Sequence, residues 1–555
     1  MPTIERERAP RAGRSGTRSV LGHWMACIAL SAPVACGERE TAGSPETPAA
    51  RDVIAPIESA APEPEDGEPI AEDAGGEAEM PPPLFPRGVV AHESGVTPGY
   101  VLFNPLLSDT TYLVNNEGEV VHRWESAYSP GGGIYFLPNG NLLRTGRDPD
   151  RLLFNSGGTG GILQEIDWNG NVVWEWRFSD DTRVQHHDIE PLPNGNLLVL
   201  AWEVKSKAEA SRAGRREEQT PEQGLWPDWV LEIEPVRPDS AKVVWEWHSW
   251  DHLIQNHDAE AENYGDPAEN PTRIDINAGS DAPEISADEL AQLQALGYVP
   301  EDATADDLKS DFLHTNAIDY HPRLDQIALS VPVLGEVWII DHATTSEQAR
   351  GPAGDLLYRW GNPAMYGRSD AGGQRFFYQH DVRWIPDGWK GAGNLTVFNN
   401  GGERPTGSFS SIDEWTPPLE ADGDYTIADN AAFGPTDFAW QYAAAEPGNF
   451  FSPFISGATR LANHNTMICA GVGGRLLEVT RAGEIVWEYR NPFSGDVRNA
   501  DGSLPQPGLD KFPYSVFRAT RISADDPGLA DRKLTALDPQ PDWFDYAPAE
   551  SNEAE

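Results

Sequence analysis

Val172-Val173-Trp174-Glu175-Trp176 is the segment that best indicates the fold, because it is repeated almost unchanged as Val243-Val244-Trp245-Glu246-Trp247. The shared pattern is two mostly apolar residues, an aromatic residue or histidine, a polar residue, and then Trp or Tyr. Short segments of this kind, rich in β-branched and aromatic residues, are typical of β-strands. Further copies of the pattern lie at 120–124, 356–360, 438–442 and 485–489.

Turn signals separate these copies. Trp168-Asn169-Gly170-Asn171 precedes one of them, and Asn-Gly is the pair that tight hairpins favour. Copies without an insertion between them start 52 residues apart (120 to 172) or 47 apart (438 to 485), the length of one four-stranded blade. We therefore predict an all-β fold, a six-bladed β-propeller. We expect its recurring tryptophans to pack between blades rather than to bind a substrate.

Longer gaps between copies predict insertions. One is the charged stretch 203–223, and the other covers 258–311. In the second, Ser286-Ala287-Asp288-Glu289 forms a capping box ahead of leucines at helical spacing, and Gly297 can end the helix. The propeller is therefore expected to carry a short helical insertion.

The charge of the chain excludes several kinds of partner. Lys and Arg total 41 against 88 Asp and Glu, a formal net charge of −47. A field of that sign repels nucleic acid and anionic membrane surfaces, so we expect no nucleic-acid partner. Of the cysteines Cys27, Cys36 and Cys469, only the last lies in the predicted folded body, which leaves no internal disulfide framework.

The first 36 residues have the form of a secretory signal. A basic segment precedes an apolar run at 20–32, which is too short for an ordinary membrane span. The small residue before Cys36 resembles a bacterial lipoprotein cleavage site, which predicts a lipid on Cys36 and a periplasmic or outer-membrane lipoprotein. Plain secretion and a retained N-terminal anchor are the alternatives.

Composition divides the remainder of the chain. Residues 37–84 are rich in Pro, Ala, Glu and Gly with almost no aromatic residues, which predicts a disordered acidic tether. We assign 85–523 to the propeller and 524–555 to an acidic, Pro-rich C-terminal tail, which Trp543, Phe544 and Tyr546 can dock onto the body.

Three histidine motifs stand apart from the repeat: Gln185-His186-His187-Asp188, His314-Thr315-Asn316 and Gln379-His380-Asp381. They fall in separate repeat units, so a propeller can bring them together at its axis. A structural His–Asp pair within each blade is the plainer hypothesis for any one motif. A metal site is a further alternative, although no pair of these histidines has the spacing of a zinc motif. Together the motifs favour group transfer by a histidine nucleophile.

From about 94 to 492 the sequence resembles the bacterial arylsulfate sulfotransferase family, which moves a sulfuryl group between phenols without a nucleotide donor. The segments that carry the resemblance are 186–191, 314–320, 336–342, 359–363 and 379–382. The resemblance implies a six-bladed propeller, a phenolic sulfate donor, a phenol acceptor and no cofactor. It places the nucleophile, which forms a sulfohistidine, on His380, and supporting groups on His187, His314 and Asn316.

Chemistry at these positions is consistent with that implication. A neutral imidazole has a free lone pair near pH 7, and Asp381 or another acceptor can fix its tautomer. His314 or His187 can give a proton to the departing phenolate and remove one from the incoming phenol. Asn316 can donate to a sulfuryl oxygen.

One position departs from the family pattern. Ser330-Val331-Pro332-Val333 puts Pro332 where the family has an arginine expected to clamp the sulfuryl oxygens, and Arg383 or Arg404 is a candidate to replace it. The family's N-terminal β-sandwich and its disulfide have no counterpart here. A second hypothesis is therefore a surface-tethered propeller that binds sulfated or phenolic compounds without turning them over. A third hypothesis is a quinone-cofactor dehydrogenase, but the sequence has no matching cofactor motif.

Overall fold

Short antiparallel strands form most of the regular structure. The computed structural model describes residues 86–150, 153–154, 156–279, 303–369, 371–495 and 513–544, and single positions at 287, 290, 291, 294 and 299. All belong to one of two compact units, Glu79–Glu555. The other unit, Met1–Ala78, with the predicted signal, Cys36 and most of the predicted tether, lies outside the described residues. The predicted helix after Ser286 also falls largely outside them.

The first half of the chain contributes fourteen strands, the last of which lies inside the second insertion. In chain order they are β1 (Gly88–His92), β2 (Gly99–Pro105), β3 (Thr110–Asn115), β4 (Val120–Glu125), β5 (Pro130–Phe136), β6 (Leu142–Arg147), β7 (Gly161–Ile166), β8 (Val172–Arg177), β9 (Arg183–Pro191), β10 (Leu197–Glu203), β11 (Asp228–Val236), β12 (Ser240–His248), β13 (Leu253–Ile254) and β14 (Ile274–Asp275).

The second half continues the same pattern. Its strands are β15 (Ala317–His321), β16 (Gln326–Val331), β17 (Glu336–Asp341), β18 (Tyr358–Trp360), β19 (His380–Trp384), β20 (Leu395–Asn399), β21 (Ser411–Trp415), β22 (Trp440–Tyr442), β23 (Gly457–Arg460), β24 (Thr466–Ala470), β25 (Arg475–Val479), β26 (Ile485–Arg490) and β27 (Val516–Ser523).

Helices are few and short in the described residues. Three are α-helical, α1 (Lys207–Arg212), α2 (Ala305–Leu308) and α3 (Ser346–Ala349). The 3-10 turns are Glu217–Gln219, Ser249–His252, Pro267–Glu269, Pro352–Gly354, Pro363–Tyr366, Ala371–Gly373, Pro447–Asn449, Gly471–Gly473 and Pro527–Leu529. None of the described helices is long and apolar enough to span a bilayer.

These strands form a six-bladed β-propeller, as the repeats predicted. Blades 2 to 5 are β5–β8, β9–β12, β15–β18 and β19–β22, and blade 6 is β23–β26 with β1 added at its outer edge. Blade 1 combines β27 from the end of the chain with β2–β4 from the start. The innermost strands β27, β5, β9, β15, β19 and β23 lie side by side around the axis. Both ends of the described chain thus close the ring.

The repeated aromatic motif forms the outer part of each blade and joins it to the next. In every blade one motif tryptophan donates its indole N–H to a backbone carbonyl of the following blade, at 2.8–3.1 Å. The tryptophans are therefore inter-blade packing residues, as expected. The pairs are Trp124 with Asp167, Trp174 with Ser240, Trp247 with Gly354, Trp360 with Pro435, Trp440 with Arg481, and Trp487 with Asn116.

Glutamates on the third strands make a second set of joints, here called the glutamate clasps (Glu165, Glu232, Glu414 and Glu478). Glu165, Glu232 and Glu478 each accept hydrogen bonds from two turn asparagines of their own blade, as Asn139 and Asn141 donate to Glu165, and Glu414 accepts one from Asn394. Each also meets a cation from the next blade. The repeated Asn-Gly-Asn turns therefore serve blade-to-blade attachment as well as hairpin formation.

Candidate active site

Residues from three blades meet where the innermost strands begin. His187 lies on β9 of blade 3, His314 three residues before β15 of blade 4, and His380 at the first position of β19 in blade 5. The rings of His187 and His314 are 4.5 Å apart between centroids, nearly perpendicular. Phe517, on β27, connects them to His380, with centroid distances of 6.1 Å to His187 and 6.4 Å to His380. The predicted histidines therefore share one site.

His380 has a defined tautomer. Its Nδ1 lies 2.7 Å from Oδ1 of Asn400 and 3.0 Å from the carbonyl of Tyr378. The orientation of Asn400 is fixed, because its amide nitrogen donates to the carbonyls of Ser452 and Ile455. Both neighbours of Nδ1 are acceptors, so Nδ1 carries the hydrogen and Nε2 carries the lone pair.

Burial also keeps His380 uncharged. Desolvation lowers its pKa to about 4, assisted by the nearby charges of His314 and Arg518 and opposed by the hydrogen bond to Asn400. At neutral pH the imidazole is therefore unprotonated at Nε2. Within the described residues this nitrogen makes no hydrogen bond, which leaves its lone pair free for an electrophile.

Asp381 is not the acceptor that orients His380, contrary to one sequence expectation. Asp381 has a positive φ of 58°, and its carboxylate turns toward Arg383 and Arg518 and accepts from the backbone N–H of Ala458. Asn400, on the strand end next to β19, takes the orienting role instead. Sequence reasoning missed it because nothing near His380 in the chain points to a residue 20 positions away.

His314 has the opposite electrostatic character. Burial lowers the pKa of His314, but the carboxylate of Asp311, bonded to Nδ1, outweighs burial and raises it. Asp311 is in turn held by the hydroxyl of Ser156 at 2.6 Å. With 26% of its side chain accessible, His314 can present an Nε2–H to a ligand. Such a group is suited to act as a general acid.

His187 contacts a chain of buried polar side chains. Its Nδ1 is 2.9 Å from Nδ1 of His186, whose Nε2 is 3.2 Å from a carboxylate oxygen of Asp228. Burial and the neighbouring positive groups hold the pKa of His187 well below its usual range. A Cβ on Gly158, where φ is +77°, would come within 2.1 Å of Nε2 of His187. Glycine is therefore required for this ring to occupy its position.

Asn316 lies in the site but is engaged with the backbone. Its side chain is fully buried, and its amide nitrogen donates to the carbonyl of Gln379, at 2.8 Å. This contact holds the residue that precedes His380. In this arrangement Asn316 helps to position the nucleophile candidate.

Neither arginine considered as a replacement for the missing cation is free. Pro332 is buried after β16 and forms a turn with Gly335. Arg383 is paired with Asp188, Glu190, Asp319 and Asp381. Arg404 binds Phe409 and Ser411 within its own loop. Arg518 is the arginine of the described residues whose charge acts on both His187 and His380, and no sequence pattern singled it out.

The fold and the site together define the class of protein: a six-bladed propeller with three histidines at one end of its axis. The chain belongs to the arylsulfotransferase (ASST) family, whose sequence pattern matches residues 100–491. No curated protein matches the chain significantly.

Solved propeller structures are similar only in outline. A Bacteroides caccae protein of unknown function shares 11% identity over 76% of this chain and 98% of its own, with a TM-score of 0.37. The β-propeller domain of Myceliophteria thermophila Cps50 (Swd1) shares 11% over 74% and 91%, with a TM-score of 0.34. Kuenenia stuttgartiensis hydrazine synthase shares 10% over 72% and 80%, with a TM-score of 0.31.

Proposed function

We propose that this arylsulfotransferase moves a sulfuryl group from a phenolic sulfate ester to a phenol acceptor through a sulfohistidine on His380. One observation carries the proposal: Asn400 and the Tyr378 carbonyl hold the hydrogen of His380 on Nδ1, which leaves the Nε2 lone pair free. Family membership supports the general activity.

In the first half-reaction, Nε2 of His380 attacks the sulfur of the aryl sulfate. The N–S bond forms as the S–O(aryl) bond breaks, and the electron pair passes to the phenolate oxygen. Protonated His314 gives its Nε2 proton to that oxygen, so the donor leaves as a neutral phenol. His314 becomes neutral, with Asp311 still bonded to Nδ1.

In the second half-reaction, an acceptor phenol enters the same site. Nε2 of His314 takes the phenol proton while the phenol oxygen attacks sulfur. The N–S bond breaks, its electron pair returns to Nε2 of His380, and the new aryl sulfate leaves. The charged pair His314–Asp311 is restored, so one residue serves as acid and then as base.

Nitrophenol release tests this function. Purified protein is incubated with 4-nitrophenyl sulfate and a phenol, and release is followed by absorbance. His380→Ala is expected to abolish release. His122→Asn is the control, because His122, although only partly buried, is another histidine whose pKa is lowered to about 4 by burial, and it stacks on Trp168 away from the site. Equal release by wild type and His380→Ala would rule the mechanism out.

Pro332 motivates the competing hypothesis of a propeller that binds aryl sulfates without turning them over. Pro332→Arg separates the two. If the missing cation limits a slow transferase, this variant raises the rate of nitrophenol release. A wild type that binds the ester, releases no nitrophenol and is not rescued by Pro332→Arg would favour the binding function.

We also propose export across the inner membrane with a lipid on Cys36, supported by the sequence of the first 36 residues. Metabolic labelling with a radioactive fatty acid tests this. Label in the wild type but not in Cys36→Ser is the expected result, and an unlabelled wild-type protein would contradict it.

A further inference from the structure

A layer of ion pairs lies along the axis next to the histidines. Arg518, on the closing strand β27, places Nη1 2.8 Å from Asp188 and Nε 2.9 Å from Asp381. Its side chain is 4% accessible and both carboxylates are buried. Asp188 directly follows His187 in the chain, and Asp381 directly follows His380. Arg518 therefore bridges the two corners that carry these histidines, and Arg383 of blade 5 pairs with the same two carboxylates.

Both corners have unfavourable backbone conformations. His187 has a φ of 48° and Asp381 a φ of 58°, in the left-handed region that is unfavourable for a non-glycine residue. Surrounding contacts must hold such residues. Asp188 accepts from the backbone N–H of Ile318 at 3.2 Å, and Asp381 accepts from that of Ala458 at 2.9 Å.

The same strand also packs directly against the imidazoles. Phe517, the residue before Arg518, contacts the rings of both His187 and His380. The Arg518 charge contributes to the lowered pKa of each histidine, although burial is the larger cause for both. His314 and His186 act in the same direction on His187, and His314 does so on His380.

We propose that Arg518 is a positioning residue for the site: it joins Asp188 to Asp381 and fixes the corners that carry His187 and His380. This role rests on the proposed sulfuryl transfer, but the effect of Arg518 on the histidines can be measured without any turnover. Since β27 also closes the ring, completion of the fold and assembly of the histidines depend on the same strand.

Histidine titration by NMR tests the proposal. The ring Cε1–H signals of His187 and His380 are assigned with single His→Gln variants and followed against pH in wild type and Arg518→Met. Without the Arg518 cation, the negative charges of Asp188 and Asp381 are less well compensated at the two imidazoles. Arg518→Met is therefore expected to raise both pKa values by about one pH unit, and to move the acidic limb of kcat/KM upward with them.

Arg521→Met is the matched control. Arg521 lies on the same strand and is equally buried, but its partner is Glu478 in the clasp between blades 6 and 1. Its replacement is expected to lower thermal stability without moving the titrations of His187 and His380. If Arg518→Met titrates like the wild type, or if Arg521→Met shifts the histidines equally, the proposal is wrong.

Arg518→Lys covers the case in which Arg518→Met does not fold. Lysine keeps the charge but loses the planar fork that meets two carboxylates. In Arg518→Lys we expect the two histidines to titrate as in wild type and kcat to be several-fold lower. A fully active Arg518→Lys would overturn the positioning role. A wild type without transferase activity would refute the proposed function, while the titrations would still decide the role of Arg518.

Discussion

Single side chains set opposite protonation states for neighbouring imidazoles. Burial keeps His380 neutral and Asn400 leaves its Nε2 free, whereas Asp311 keeps His314 charged over a wider pH range. Two similar groups in different environments thus fill the roles of nucleophile and acid.

Asn400 gives the residue-scale test of the tautomer. In Asn400→Ala, Nδ1 loses its side-chain acceptor, so the tautomer with hydrogen on Nε2 becomes populated and kcat should fall by about 10²-fold or more. Asn491→Ala is the control, because Asn491 is a buried asparagine that also donates to two backbone carbonyls, Phe493 and Tyr514. Both variants should lose stability, but an Asn400→Ala enzyme with wild-type kcat would contradict the assignment.

Asp311 should set the position of the basic limb in the pH profile of kcat/KM. Activity requires neutral His380 and protonated His314, so kcat/KM should be bell-shaped, with an acidic limb from His380 and a basic limb from His314. Because Asp311 raises the pKa of His314, Asp311→Asn should move the basic limb to lower pH and leave the acidic limb nearly in place. A basic limb unmoved in Asp311→Asn would assign it to another group.

The blade joints are the main features at the scale of elements. The clasps at Glu165, Glu414 and Glu478 receive arginines, but the clasp at Glu232 receives His342 from blade 4. Nδ1 of His342 also lies 2.7 Å from Asp325, which the hydroxyl of Tyr320 contacts too. Although burial lowers the pKa of His342, these two carboxylates raise it overall to about 9.

This clasp should make stability pH-dependent. A histidine whose pKa is raised by folding contributes its full stabilisation below its unfolded value, about 6.5, and loses it as pH rises through about 9. We expect the contribution to be about 2 kcal/mol, less than the shift alone implies because Asp325 is 40% accessible. Thermal unfolding should show Tm falling more steeply between pH 7 and 10 in wild type than in His342→Gln.

His342→Arg is the non-titrating comparison for this clasp. Arginine does not titrate in this range, so the variant should resemble the other clasps and keep its Tm nearly constant up to pH 10. If wild type, His342→Gln and His342→Arg lose stability in parallel as pH rises, the charge on His342 does not hold blades 3 and 4 together.

At the scale of the whole molecule, the axis joins every blade. The ion-pair layer contains Tyr135 of blade 2, Asp188 of blade 3, Asp319 of blade 4, Arg383 of blade 5 and Arg518 of blade 1, and Asp381 reaches the backbone of blade 6 at Ala458. Residues far apart in the chain therefore form one polar unit on which the histidines rest.

The repeats predicted this ring because each copy of the aromatic motif is a local pattern that fixes strand, face and period. The histidine motifs were also visible, since each lies beside a blade's innermost strand. Asn400, Asp228 and Arg518 were not, because their partners come from other parts of the chain and only the closed ring brings them together. Asp311, in contrast, lies only three residues before its partner His314.

The most direct test of the histidine nucleophile is intact-mass spectrometry of the protein after brief incubation with 4-nitrophenyl sulfate and no acceptor, followed by peptide mapping at neutral or alkaline pH. We expect a mass increase of one SO₃ group, located on His380, absent from His380→Ala and lost when a phenol is added. A sulfuryl group on another residue, or nitrophenol release to phenol without any protein adduct, would contradict it.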